Sequence, residues 1–400
     1  MFQNLIIANE LTLDKFLKEL KFDLYLTKPQ INHMKSIVKS MFISGYTGKI
    51  NDVSKVLSPK HRTSITRFLS NSSWNENLTF NSLKNKSIDL IWSRSKQTGK
   101  PIYVIIDDTI SEKTKPSSKA VNPIEKCFFH NSHLKKKTVY GHQIVLALLS
   151  CDGLVLPYAI EIYDKNNMSK IAIASNIIKS LPKPINKGYV LCDSWYSCKE
   201  IFDKSTESGY TYIGAIRTNR VIYPKGHERL GAKLNRYARS LDKKVFDLVT
   251  VKGKQYYIYN YVGKLNDMKK VSIILSYPKD SFHEDGCLKA FISLNTSLSS
   301  LDTLNQYIDR WIIEPFFRDC KRNLGLNGYQ VRSQKSIIRY LIIMLISYTY
   351  SKLCSGVAFN FNTGFKKMQN NLRKSQVISI YNAAIKGEPI NKIFDTLKIA

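Results

Sequence analysis

Glu314 lies in the stretch YIDRWIIEPFFRDCK (307–321), seven residues after Tyr307, four after Arg310 and seven before Lys321. A helix turns about 100° per residue, so these offsets set all four side chains on one stripe roughly 60° wide. Two β-branched runs earlier in the chain also end in acids. KPIYVIIDDT (100–109) ends in Asp107 and Asp108, and KGYVLCDSWYS (187–197) carries Asp193. Three carboxylates brought together repel one another unless cations sit among them. Hard oxygen donors of this kind suit Mg²⁺ or Mn²⁺. Two such ions about 3.5–4 Å apart can clamp the attacking and leaving oxygens of a phosphodiester displacement. Neighbouring side chains on a strand point to opposite faces, so only one of Asp107 and Asp108 can join a shared ion; the residues alone leave both open. Pro315 directly follows Glu314, and a mid-helix proline costs about 3 kcal/mol. Either the helix kinks there or a new one begins.

The bulk composition fits chemistry on a polyanion. Lys plus Arg number 61 against 31 Asp plus Glu, a formal charge of +30 over 400 residues. The excess is spread: residues 1–100 hold 16 basic and 7 acidic side chains, and residues 218–300 hold 15 and 7. Such a chain expects a nucleic acid or an anionic membrane surface, with a long footprint on it. Seven cysteines without a C-x-x-C pair point to free thiols in a reducing compartment. MFQNLIIANE lacks the basic and apolar regions of a signal peptide, and the run YLIIMLISY (340–348) is too short to span a bilayer. The expectation is a cytoplasmic protein that binds nucleic acid and no membrane.

Several elements must position the acids. Residues 1–98 carry apolar side chains at helical spacing and are expected to form a helical DNA-binding domain. Within it, NDVSKVLSPKHRTSITRFLSN (51–71) reads as two short helices around a Ser-Pro turn, the second presenting Arg62 and Arg67 to a DNA groove. From 99 to 217 the order is strand, hairpin, helix, strand, helix, strand, with Asp152-Gly153 as the hairpin turn, which predicts a mixed α/β sheet. Residues 218–300 read as a β-rich insertion. Its Tyr256, Tyr257, Tyr259 and Tyr261 either stack on bases or line the two faces of a strand. Helices return over 301–360, followed by a charged helical tail over 361–400. Lys135, Lys136 and Lys137 form a basic loop suited to DNA. That loop also holds part of a loose Cys127, His130, His133, His142 set with zinc-ligand chemistry. Arg332, Lys335 and Arg339 either bind DNA or form the solvated end of a core helix.

The stretch 307–321 fits Tyr-x2-Arg-x3-Glu-x6-Lys at every position, and so resembles the signature of a large group of bacterial insertion-sequence transposases of the DDE class. IIDDT and VLCDSWYS resemble that group's two aspartate blocks, and GHQIVLALLSCDGLVLPY is similar to the hairpin between them. The resemblance covers about residues 100–350. It implies a ribonuclease-H-like catalytic core, split by the β-rich insertion, with Asp107, Asp193 and Glu314 as catalytic residues holding two Mg²⁺ or Mn²⁺ ions. Asp107 is chosen over Asp108 because the first acid is usually followed by x-Ser/Thr; Asp108 stays the alternative. Tyr307, Arg310 and Lys321 would contact DNA beside the cleaved bond. The implied activity is cleavage of the ends of an insertion sequence and their joining to target DNA. The partners are double-stranded DNA, as terminal inverted repeats and target, and a second copy of the chain in a homodimer on DNA, at the nucleoid of a bacterial cytoplasm. An inactive relative that only binds DNA, or a nuclease of the same fold, is the alternative. Some relatives hold a flipped base on a tryptophan of the insertion during a hairpin step; here Trp74, Trp92, Trp195 and Trp311 all lie outside 218–300.

Overall fold

The computed structural model describes residues 11–56, 61–132, 135–266 and 268–397. The chain opens with helices α1 (Leu13–Glu19), α2 (Lys28–Met41), α3 (Ile50–Val56), α4 (Arg62–Ser70) and α5 (Glu76–Thr98). Short polar side chains set their starts. Thr27 and Gln30 form a reciprocal capping box on α2, and the Asn75 side chain accepts from the backbone of Asn77 and Leu78 on α5. Gly99, at φ 67°, ends α5 in the left-handed conformation. The helix pair expected over 51–71 is α3 and α4, while its Ser58-Pro59 turn lies outside the described residues.

The chain then forms β1 (Ile102–Glu112), β2 (Phe128–Ser132), β3 (Lys137–Cys151), β4 (Leu154–Ile162), α6 (Lys170–Lys179), β5 (Gly188–Cys192), α7 (Lys199–Glu207) and β6 (Thr211–Ile216). This matches the expected order, with β2 added in the stretch read as a basic loop. Asp152 (φ 45°) and Gly153 (φ 81°) both take positive φ, as a two-residue β3–β4 turn of the primed kind requires. Residues 221–293 give β7 (Val221–Ile222), β8 (Ala232–Lys233), α8 (Leu234–Ser240), β9 (Asp247–Val251), β10 (Lys254–Leu265), β11 (Met268–Pro278) and β12 (Lys289–Ser293). Helices α9 (Ser300–Ile308), α10 (Ile313–Asn323), α11 (Gln334–Cys354), α12 (Phe361–Ile385) and α13 (Ile390–Leu397) complete the chain.

All the described strands join one sheet. Its order is β2-β3-β1-β5-β6-β12-β11-β10-β7-β8, with β4 on β3 and β9 on β10. The β1–β5 and β5–β6 pairs are parallel and the rest antiparallel. The β-rich stretch therefore extends the sheet outward from β6 through β12. Its tyrosines pack along the strand: Tyr259 and Tyr261 lie against Tyr237, and Tyr257 lies against Phe282.

Alternation along the central strands builds two cores. Ile105, Leu191 and Ile213 face the layer that contains α10, α11 and the N-terminal helices. Val104, Ile106, Val190 and Cys192 face α6 and α7. Helix α11 is long and apolar enough to cross a membrane by length and composition, but 89% of its apolar window is buried inside the fold. It is the central helix of the first core.

Candidate active site

The two cores decide where the paired acids midway along β1 point. Asp107 continues the Ile105 face, and Asp108 continues the Ile106 face. Ile106 pairs with Cys192 in the parallel β1–β5 ladder, so Asp107 and Asp193 follow as neighbours just beyond that register. Burial and the Asp193 charge push the Asp107 carboxyl up to about 7, against the opposing pull of Arg310. Asp193 itself is oriented by the turn that follows it, where Trp195 N–H donates to its Oδ1 at 2.9 Å.

Arg310 ties the third acid to this pair. Its Nη1 donates to Asp107 Oδ2 at 3.1 Å and its Nη2 to Glu314 Oε1 at 3.3 Å. The Arg310 side chain is only 12% exposed, against 58% for Glu314. A 3₁₀ turn over Asp309–Ile312 separates α9 from α10, and Glu314 is the second residue of α10. Pro315 is the third, where a backbone N–H has no partner within the helix to lose. The proline thus marks a new helix start rather than a kink, and the Arg310–Glu314 spacing survives the break.

The other residues singled out from the sequence are distributed unevenly. Tyr307 is buried, packs on Phe291 with ring centroids 4.8 Å apart and has Arg310 above its ring. Burial pushes its phenol up to about 12, so it stays neutral. It backs Arg310 and has little surface for DNA, unlike the expectation. Lys321, half-buried with its pKa lowered by that burial, feels both Glu112 and Lys135. Lys135 pairs with Glu112 at 2.7 Å. These two lysines therefore gather at the far end of β1, about 16 Å along the strand from Asp107 at ~3.3 Å per residue. Lys136, Lys137, Arg62 and Arg67 are exposed, the last two on α4.

Residues 98–350 match the family model of the transposase DDE domain. The chain belongs to that family. A search of curated proteins finds no match. DDE transposases are metal-dependent enzymes that act on DNA. Among the described residues, no group of three His, Cys, Asp or Glu side chains forms a ready ion site. Arg310 instead bonds both Asp107 and Glu314. The donor chemistry nonetheless fits a hard divalent cation. Asp107 and Asp193 are adjacent oxygen donors whose mutual repulsion a cation relieves.

Two readings from the sequence need correction. Arg339 neither binds DNA nor sits at a solvated end. It is fully buried in α11, pairs with Glu76 at 3.1 Å, donates to the carbonyls of Phe68, Leu69 and Trp74, and lies 4.4 Å from the Trp74 ring centre. A helix that enters the core so early leaves no wet end for the guanidinium. Of the zinc set, Cys127 Sγ lies 3.3 Å from His142 Nε2, but no three of its described members come together: His142 is buried, shares a hydrogen bond with Tyr329 (2.7 Å) and another with the Glu125 carbonyl (2.7 Å), and burial drives its pKa down to about 4. His133 lies outside the described residues.

Sequence reasoning missed the groups around Asp108. Lys170 Nζ donates to its Oδ1 at 2.8 Å, Tyr196 OH donates to the same oxygen at 2.9 Å, and the Gln143 amide donates to Oδ2. Trp195 is 47% exposed beside Asp193, with Lys170 Nζ 4.4 Å from its ring centre. Tyr196 and Trp195 carry a signal in hindsight, since both fall within the block DSWYS; Lys170 and Gln143 carry none.

Proposed function

We propose that the chain is a DNA transposase that cleaves the ends of an insertion sequence and joins them to target DNA. The catalytic residues are Asp107, Asp193 and Glu314 on a ribonuclease-H-like core. The observation that carries this reading is Arg310, which bonds Asp107 and Glu314 at once while Asp193 follows beside Asp107 in the β1–β5 register. Asp107 follows the last parallel β1–β5 pair midway along β1, Asp193 follows β5, and Glu314 lies in the first turn of α10. Such a site at the carboxyl ends of parallel strands is where open α/β sheets bind ligands.

Asp107, Asp193 and Glu314 would hold two Mg²⁺ or Mn²⁺ ions. When bound, these supply Lewis-acid stabilisation and an acidified water for phosphodiester displacement. The chemistry has two displacements at phosphorus. A water oxygen bonds to phosphorus while the element's 3′ oxygen leaves and takes up the proton. That 3′ hydroxyl then displaces the 3′ oxygen of a target phosphodiester. Arg310 presents a forked donor to a phosphate oxygen, and buried Tyr307 fixes the plane of that fork. Lys321 with Lys135, Lys136 and Lys137 extends the basic surface away from the acids, and Arg62 and Arg67 on α4 offer a second contact with duplex DNA. Holding two ends calls for two copies, so the active form is a homodimer on terminal inverted repeats at the bacterial nucleoid.

The test is Glu314→Gln on DNA carrying the native flanking repeats. Mg²⁺-dependent strand cleavage should fall at least about a thousand-fold, with DNA affinity within a factor of about two. Full cleavage by that variant would sink the assignment. Tight binding without any cleavage by the unaltered chain would favour a DNA-binding protein without catalysis.

A further inference from the structure

We infer that Asp108 is a positioning residue that fixes the turn carrying Asp193 against the strand carrying Asp107. The inference rests on the proposed site and assigns the second acid of the pair a different task from the first. The Asp108 side chain is 15% exposed and faces away from Glu314, toward α6 and the Asp193 turn. Its donors come from three separate elements: Lys170 is the first residue of α6, Gln143 lies on β3, and Tyr196 follows β5. A carboxylate offers about four acceptor positions, and three are taken here, one by a charged donor. Binding an ion would require Asp108 to give up this set.

The Tyr196 contact links Asp108 to the catalytic geometry. The Tyr196 ring is fully buried and its hydroxyl reaches Asp108, while its backbone N–H donates to the Asp193 carbonyl at 3.3 Å. The intervening Trp195 N–H holds the Asp193 carboxylate. The turn is thus pinned at its far end to β1, one residue from Asp107. Consecutive Cα atoms lie 3.8 Å apart, so any slip at Asp108 moves Asp107 as well. Lys170 adds a second link, since the same ammonium that pairs with Asp108 lies over the Trp195 ring. Asp108, Lys170 and Tyr196 together form a strut between the middle of β1 and the turn after β5.

The experiment titrates Mn²⁺ into the full chain, following free Mn²⁺ by electron paramagnetic resonance. In parallel it measures cleavage of repeat-bearing DNA across Mn²⁺ concentration. Asp108→Asn should raise the Mn²⁺ dissociation constant and the half-saturating Mn²⁺ about ten-fold, the scale seen when a ligand's supporting partner is lost. Cleavage at saturating Mn²⁺ should return to near the unaltered level. Tyr196→Phe, which removes one hydroxyl from a buried ring, should shift both in the same direction by a smaller factor, and it keeps the test alive if Asp108→Asn folds poorly. Asp107→Asn should cleave at no Mn²⁺ concentration. Unchanged Mn²⁺ affinity in both Asp108→Asn and Tyr196→Phe would overturn the inference. So would complete and unrescued loss in Asp108→Asn, which would make Asp108 itself a ligand. Normal Mn²⁺ binding and cleavage by Asp107→Asn would overturn the site reading, and the inference with it.

Discussion

The two faces of β1 treat neighbouring carboxylates in opposite ways. On one face Asp107 meets another carboxylate, Asp193, and a single guanidinium shared with exposed Glu314. On the other face Asp108 meets an ammonium, a phenol and an amide, all donating. The first arrangement leaves negative charge under-compensated in a half-buried place, and the Asp107 carboxyl is pushed up to about 7 as a result. The second satisfies its charge and gains rigidity. One strand thus separates a group held ready for a cation from a group committed to holding the fold. Identical side chains one residue apart acquire different chemistry solely from the direction the strand gives them.

Three variants sharpen or break that contrast. Arg310→Ala should have the largest effect, a loss of about 100-fold in cleavage with weakened DNA binding. It removes the guanidinium that bonds Asp107 and Glu314, and a charged donor placed at a reacting phosphate is commonly worth that much. Arg310→Lys should recover little, because an ammonium cannot fork. Retained cleavage in Arg310→Ala would mean that the first face does not need its cation. Lys170→Met should act on stability instead. It leaves the Asp108 charge with two neutral donors and should lower unfolding stability by about 2 kcal/mol, read from urea midpoints. An unchanged midpoint would break the claim that the second face is structural.

The smallest effect concerns pH. The Asp107 pKa is raised in the folded chain, from its ordinary 3.8 to about 7, so the fold binds an extra proton between those values. Its contribution to stability is full below the unfolded value and is lost as pH rises through about 7. In chelator-treated buffer, Asp107→Asn should therefore gain on the unaltered chain between pH 5 and 8, by about 1 kcal/mol after allowance for solvent screening. A gap in melting temperature that stays flat over that range would contradict the placement of Asp107.

Much of this contrast was legible before the fold. The acids at 107, 108 and 193 stood out because β-branched runs that end in Asp read as buried strands. Strand alternation already required Asp107 and Asp108 to part. The sequence could not say which way each points, because that depends on which side α6 and α10 pack. The basic neighbours of Glu314 were legible as a set by their spacing, but not by role. Tyr307 turned out to back Arg310 from inside the core, and Lys321 leans toward Glu112. The Asp152-Gly153 hairpin was read from local turn chemistry, which needs no tertiary context. Arg339 was misread for the opposite reason: its partners, Glu76 and the carbonyls around Trp74, lie more than 260 residues away in the chain. Long-range pairing of that kind leaves no local trace. Nor does periodicity reveal that β12 docks on β6 and turns an apparent insertion into the outer half of one sheet.

The central claim is that Asp107, and not Asp108, shares the cleavage site with Asp193 and Glu314. The most direct measurement is single-turnover cleavage of DNA carrying the native terminal repeats, at saturating Mg²⁺, by Asp107→Asn and Asp108→Asn side by side. Asp107→Asn should give no detectable product and Asp108→Asn a near-normal rate. Product from Asp107→Asn with none from Asp108→Asn would contradict it.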